Sequence, residues 1–151
     1  MGIDQDILQT TFRSEYQKAM INLLYTYGWT IEQIKNIVAN EGITHQQYNI
    51  LRILKGSYPQ PLSTLQIRER MLDKMSDTSR IVDRLIAKGL VKKGTCKKDR
   101  RLVDVSITDK GKKLLEKMEP CSEQMESIFK ILSEKEAASL NTLLDKLRNS
   151  Q

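Results

Sequence analysis

The feature that most restricts the fold of this chain is a short segment in which apolar and polar residues alternate. It stands out because the segments around it have the periodicity of α-helices. Residues 101–107 are predicted to form a strand, because Val103, Val105 and Ile107 alternate with Asp104 and Ser106 as in a strand with one buried face. A partner strand is predicted at about residues 90–95, and we call this hairpin the wing. One small hairpin in an otherwise helical chain predicts a mainly α fold with a β-hairpin wing.

The first part of the chain carries an apolar stripe with steps of three and four residues. This spacing predicts one long helix over about residues 7–39, with a weak point at Gly28 and an end before Gly42. The stripe consists of Met20, Leu24, Tyr27, Ile31, Ile34 and Val38.

Capping signatures mark the starts of three later helices, since Ser or Thr with Gln or Glu three residues later satisfies backbone N–H groups. The helix that begins at Thr44 is predicted to end at Gly56, and the next is predicted to run through Leu65 and Ile67, with Met71 as a further candidate. Thr108 caps a further helix that Pro120 should kink or split. The three signatures are Thr44 with Gln47, Ser63 with Gln66, and Ser133 with Glu136.

A tight turn near residues 72–75 precedes a helix predicted over Ser76–Lys88, which Gly89 ends. Two short helices followed by a hairpin are typical of a winged helix-turn-helix domain, whose second helix enters the major groove of DNA, about 12 Å wide. The residues of this helix that we predict to bind DNA are Ser76, Asp77, Ser79, Arg80 and Arg84. Alternatively, Arg80 and Arg84 are ordinary solvated residues, with Arg84 paired to Asp83 or Asp77.

Basic residues are concentrated at the turn of the wing. The net charge of +6 favours polyanionic partners. A cationic turn can bind the phosphate backbone and insert an arginine into the minor groove, while Asp99 holds that arginine in an ordered geometry. The predicted DNA-binding cations of the turn are Lys97, Lys98, Arg100 and Arg101. The alternative is a solvated turn whose charge serves solubility.

The terminal helices carry more apolar surface than a winged helix domain can bury, which predicts a homodimer. We therefore expect residues 1–42 to form a dimerisation helix, residues 43–108 the DNA-binding lobe, and residues 109–151 the C-terminal dimerisation helices. The recognition helices of the two copies would lie about 34–36 Å apart. The alternative is a helical subdomain that packs on itself within one chain.

Several classes of function have little support in the sequence. His45 is the only histidine, and Cys96 and Cys121 lack metal-ligand spacing, so we expect no metal site, no cofactor and no enzyme. No segment is long and apolar enough to cross a membrane, and the start MGIDQD is not a signal peptide. We expect a cytoplasmic protein that does not bind membranes.

Residues 43–115 resemble the multiple-antibiotic-resistance regulator (MarR) family. The resemblance rests on "SRIVDRLIAKGLV", on "DRR" in the wing and on "ITDKG" at the next helix. It implies a homodimeric bacterial transcription regulator, most often a repressor, that an effector releases from a palindromic operator in double-stranded DNA. It also implies that Ser76–Lys88 is the recognition helix, and that Arg101, ordered by Asp99, is the arginine of the wing.

In this family the effector is often a small phenolic or other lipophilic anion. Tyr25, Trp29, His45 and Tyr48, with Tyr27, are candidates to line its pocket, although aromatic residues at helical spacing also occur in plain cores. Cys96, beside two lysines, is a candidate redox sensor, and the alternative is an inert cysteine in the wing. The remaining alternative is a protein-interaction module that uses the terminal helices, with the winged helix as a scaffold.

Overall fold

The computed structural model describes residues 2–149, and within them it contains eight helices and three short strands. The prediction of a mainly α fold with a small β-hairpin wing is confirmed. In chain order the elements are α1 (Ile3–Asp6), α2 (Glu15–Ala39), α3 (His45–Ser57), β1 (Leu62–Ser63), α4 (Thr64–Arg70), α5 (Thr78–Ala87), β2 (Val91–Thr95), β3 (Val103–Ile107), α6 (Asp109–Lys117), α7 (Glu119–Ser127) and α8 (Glu134–Asn149).

The chain forms two compact units, Met1–Asn36 and Ile37–Gln151. In the first unit, α2 begins at Glu15, so the prediction of a helix from about residue 7 is wrong at its start. Two local features explain the difference. Leu8 has a φ of 55°, which ends α1, and the Ser14 hydroxyl accepts a hydrogen bond from the Gln17 amide at 3.2 Å, which opens α2. The helix continues through Gly28 without a break.

The second unit contains a three-stranded antiparallel sheet in the order β1-β3-β2. In the wing, Val91 pairs with Ile107 and Thr95 with Val103. The third strand, β1, pairs Leu62 with Val105, and the sequence did not predict it because two residues are too few to show a period. β1 leads directly into α4 and so connects the sheet to the helix-turn-helix.

Reciprocal capping boxes open α3 and α4 as predicted. The Gln47 amide donates to the Thr44 hydroxyl at 3.1 Å, and the Thr44 amide donates to the Gln47 side chain at 3.1 Å. Ser63 and Gln66 form the same pair of bonds at 3.2 and 2.9 Å. Each box satisfies two backbone groups that helix geometry leaves without partners.

The core of the second unit lies between α3, α4, α5, the sheet and α6. Its fully buried side chains are aliphatic residues and methionines, and Leu65 is not among them, since 64% of it is exposed. The predicted helix through Leu65 and Ile67 is α4, which buries Ile67 and leaves Leu65 exposed. The largest buried side chains are Ile50, Leu51, Leu54, Ile67, Met71, Leu85, Leu115 and Met118.

The "ITDKG" motif joins the wing to α6 by a close approach of two backbones. The Thr108 hydroxyl accepts from the Gly111 amide at 3.1 Å and donates to the Gly89 carbonyl at 2.7 Å. A Cβ at Gly111 would collide with the carbonyl oxygen of Leu90, so only glycine fits there. Further on, α6 ends at Lys117 and α7 begins at Glu119 with Pro120 in its first turn, which is the predicted split.

Candidate nucleic-acid interface

Helix α5 has one buried face and one exposed polar face. Thr78, Val82 and Leu85 are buried, whereas Ser79, Arg80 and Arg84 are exposed. The helix begins at Thr78 rather than at Ser76, because the Asp77 carboxylate accepts a hydrogen bond from the Arg80 amide at 3.2 Å and caps it. Asp77 therefore has a structural role at the position where a DNA contact was predicted.

Ser76 lies in the turn before α5. Its hydroxyl oxygen is buried beside the Asp73 carboxylate, and this contact is the main cause that holds the pKa of Asp73 below its ordinary value of 3.8. The backbone N–H of Met75 and the side chain of Gln46 act in the same direction. In this conformation the Ser76 hydroxyl faces the protein, so a DNA contact through it would require the turn to open.

The two carboxylates near Arg84 are engaged elsewhere. Asp83 forms an ion pair with Lys93 at 2.6 Å, which ties α5 to β2, and Asp77 caps the helix. Arg84 pairs with neither of them, and among residues 2–149 neither Arg80 nor Arg84 forms an ion pair within 4.0 Å. The alternative that paired Arg84 with Asp83 or Asp77 is therefore not what the structure contains. Both guanidinium groups are free to bind an anion.

The turn of the wing is an ordered loop. The Cys96 amide donates to the Leu102 carbonyl at 3.2 Å, and the Leu102 amide donates to the Asp99 carbonyl at 3.0 Å. β3 begins at Val103, so Arg101 belongs to this loop and not to the strand predicted from residue 101. Lys97, Lys98 and Arg100 are exposed in the same loop.

Asp99 contacts Arg101 through one oxygen. Its Oδ1 accepts from the Arg101 backbone N–H at 3.0 Å and lies 3.5 Å from Arg101 Nε. The Arg101 side chain is nevertheless 92% exposed, whereas Asp99 is 42% exposed. The pair fixes the backbone at Arg101 and leaves its guanidinium group accessible. The roles in DNA binding assigned to both residues remain predictions.

A groove of about 460 Å³ lies between the start of α4 and the start of α5. Leu65, Arg68 and Met75 line it together with Ser79, and Met75 is 94% exposed. The sequence did not indicate Leu65, Arg68 or Met75 as site residues. An exposed apolar residue cannot be distinguished from a core residue until its burial is known. The exposed basic residues in this part of the chain, Arg68 and Arg70, could have suggested the location.

Cys96 and the candidate effector residues are divided between the two units. Cys96 is half-buried and lines a concave surface of about 1100 Å³ beneath the wing, which Lys97 and Arg70 also line. Tyr25 and Trp29 line one cavity of the N-terminal unit, while His45 and Tyr48 are half-buried in α3 of the second unit. A single pocket formed by all four aromatic residues remains a prediction.

Among the described residues, no cluster of three or more His, Cys, Asp or Glu side chains could hold a metal ion. Within residues 2–149 no helix is both long and apolar enough to span a bilayer. The arrangement that remains is a helix face and a loop that both present exposed cations. Such surfaces suit the phosphates and base edges of a nucleic acid.

Comparison with known proteins identifies the family of this chain. Residues 43–103 match the MarR family. A MarR transcription factor from Planctomyces limnophilus, whose crystal structure is known, is 31% identical, covers 93% of this chain and is itself covered over 100% of its length, with a TM-score of 0.63. The chain belongs to the MarR family. MarR proteins are transcription regulators, which confirms that the chain is not an enzyme.

Two further proteins are similar to the chain. The HTH-type transcriptional repressor MdtR of Bacillus subtilis (strain 168) is 40% identical over 73 residues, which are 47% of this chain and only 44% of the repressor. A structure concerning the regulation of DNA binding of Bordetella bronchiseptica BpsR by 6-hydroxynicotinic acid has a TM-score of 0.80, with 22% identity over 94% of this chain and 100% of that one. This second likeness shows the MarR fold.

Proposed function

We propose that this MarR protein is a homodimeric, sequence-specific DNA-binding repressor that a small-molecule effector releases from a palindromic operator. The observation that carries the proposal is the pair of cationic surfaces, α5 with Arg80 and Arg84 and the wing with Arg101. None of these three guanidinium groups is withdrawn from solvent by a buried partner, and all can bind phosphates or base edges.

The division of work between the two surfaces follows from their shapes. A helix fits the major groove, where Arg80 and Arg84 can bind guanine edges in a bidentate way. A narrow loop of cations fits the minor groove, where the negative potential is strongest in A-tracts. Lys97, Lys98 and Arg100 would contact phosphates, which position the protein without reading sequence.

The groove beside α5 extends this surface. Leu65 and Met75 place apolar atoms next to the predicted base-reading face, and the thymine methyl group is the apolar feature of the major groove. Arg68 at the same groove offers a cation to the phosphate backbone. The groove thus favours an operator with thymines where the start of α5 meets the bases.

Two copies are required for a palindromic operator, because each half-site takes one recognition helix. Exposed apolar side chains on α2 and α8 supply surface for a two-fold interface, among them Met20, Leu24 and Leu143. The division into terminal dimerisation segments and the DNA-binding lobe of residues 43–108 is part of this proposal. Repression is supported by the similarity to MdtR, a transcriptional repressor. Effector release is supported by the regulation of DNA binding of BpsR by a small aromatic acid.

The test is selection of bound DNA from a random pool, followed by measurement of affinity for the selected duplex as a function of salt. Neutralising six to ten phosphates predicts a loss of affinity of about 10³–10⁵ between 50 and 200 mM salt. Selection should return an inverted repeat with half-sites about one helical turn apart.

The competing function, a protein-interaction module, predicts the opposite results. An apolar helix interface would show little dependence on salt, and selection would enrich no sequence. Repeating the binding assay with peroxide tests the redox alternative, because oxidation of Cys96 would then weaken binding and a Cys96→Ser variant would not respond. Unaltered binding by the wild-type protein after peroxide treatment excludes that alternative.

A further inference from the structure

The N-terminal unit contains an open cavity of about 430 Å³ between α1 and α2. Asp6 of α1 lines it together with the aromatic residues Tyr25 and Trp29 of α2, which are each 46% exposed. Asn22 adds a polar amide. None of the described residues that line this cavity is Lys, Arg or His. The cavity therefore combines negative charge with accessible π faces, in a protein whose net charge is positive.

The residues of α2 that line the cavity lie on the face opposite to its exposed apolar stripe. With 3.6 residues per turn, Asn22 and Trp29 are rotated by about 140–180° from Met20 and Leu24, and Tyr25 is rotated by about 100–140°. A partner subunit that covers the apolar stripe would therefore leave the cavity accessible. The lining residues all belong to one chain, so the cavity is formed without a contribution from the partner subunit.

We propose that this cavity binds an organic cation that carries an aromatic or quaternary ammonium group, and that such a cation is the effector. A cation above the face of Tyr or Trp is attracted by the ring quadrupole, and a nearby carboxylate adds a Coulombic attraction. An anion would meet Asp6, and the described residues of the lining include no Lys, Arg or His to compensate. Lys18, one turn before Asn22, is directed to the Phe12 ring, with its Nζ 5.4 Å from the ring centroid.

This ligand class differs from the lipophilic anion that the family resemblance suggested, and it deepens the proposed function. Binding of the cation stands on the cavity alone, whereas its role as effector rests on the proposed function. Two measurements on the full-length protein, one without DNA and one with DNA, separate these two claims.

Trp29 is the only tryptophan, so its fluorescence reports directly on the cavity. The wild-type protein is titrated with benzyltrimethylammonium and, separately, with phenylacetate, an aromatic probe of opposite charge. We expect a saturable change with the cation and a much weaker response to the anion, although the net charge of +6 would favour the anion at most other surfaces.

Matched variants identify the groups responsible. Asp6→Asn should lower the affinity for the cation by about fivefold, the loss expected for one ion pair exposed to water. Asp4→Asn removes the same charge from the same helix but lies outside the lining, so the affinity should not change. Tyr25→Phe should keep the affinity because the π face remains, whereas Tyr25→Leu should lower it.

The site is refuted if phenylacetate binds as well as the cation, if neither probe changes the fluorescence, or if Asp6→Asn equals the wild type. For the regulatory step, the cation is added to the protein on its selected operator, where it should weaken DNA binding. A cation that binds the cavity without changing DNA affinity would overturn the effector role. If the protein without the cation enriches no sequence from the random DNA pool, the proposed function is wrong. The fluorescence titration still tests whether the cavity binds the cation.

Discussion

The backbone and the side chain of Arg101 have different environments. Its backbone N–H is held by Asp99 Oδ1 at 3.0 Å, while its side chain is 92% exposed. An arginine with a fixed backbone loses less entropy on binding than one in a free loop, because part of the ordering is already present in the folded protein. The D-x-R spacing was visible in the sequence, but the accessibility of the guanidinium group was not.

Replacement of Arg101 by alanine tests the wing directly. We expect Arg101→Ala to weaken operator binding by about 1–3 kcal/mol, with the fold unchanged. Fluorescence anisotropy on the selected duplex measures the affinity, and thermal unfolding checks the fold. Lys135→Ala removes one exposed charge from α8 and serves as the control. Wild-type affinity in Arg101→Ala would remove the wing from the interface.

Asp99 should act through Arg101. We expect the effect of Asp99→Ala on DNA affinity to depend on Arg101, since the carboxylate orders that residue. A double-mutant cycle measures this coupling from the affinities of Asp99→Ala, Arg101→Ala and the double variant. Additive effects would show that Asp99 influences binding only through its charge near the phosphates.

The carboxyl group of Asp73 makes the stability of the fold depend on pH. The Ser76 hydroxyl, aided by the Met75 N–H, keeps the pKa of Asp73 below its ordinary value of 3.8 in the folded protein. A lowered pKa stabilises the fold above the ordinary value, and this contribution disappears as pH falls through the folded-state pKa. Asp73→Asn should therefore lose less stability than the wild type between neutral pH and acid. The urea denaturation midpoints of the two proteins at neutral and at acidic pH measure these losses of stability. Equal losses in the variant and the wild type would contradict the prediction.

At the scale of elements, α5 depends on its first turn. The Asp77 carboxylate satisfies the Arg80 N–H, so Asp77→Ala should lower the free energy of unfolding by about 1 kcal/mol. Ser79→Ala changes the same turn without removing the cap, and its stability should stay close to the wild type. Urea denaturation of the three proteins measures the difference. An unchanged midpoint in Asp77→Ala would show that the cap contributes nothing.

For the whole molecule, the feature that most needs explanation is exposed apolar surface on the terminal helices. Leu143 in α8 is 64% exposed and Leu24 in α2 is 63% exposed. Such side chains are usual at interfaces and costly to leave in water. We therefore expect a dimer in solution at micromolar concentration, as measured by light scattering.

A charge placed on this surface should break the dimer. Leu143→Glu is expected to be monomeric and to lose most of its operator affinity, because a single recognition helix reads only one half-site. Asn141→Glu adds the same charge two residues earlier, on another side of α8, and should remain dimeric. If Leu143→Glu stays dimeric and binds DNA normally, α8 does not form the interface through Leu143.

The sequence by itself determined much of the fold and part of the site. Capping boxes at Thr44 and Ser63 and the alternation before Thr108 are local features, because each depends on residues a few positions apart. The tertiary structure alone decided β1, the pairing of Asp83 with Lys93, the exposure of Leu65 and Met75, and the position of Asp6 opposite Tyr25 and Trp29. These features join residues that are distant in sequence or depend on burial, which no local pattern records.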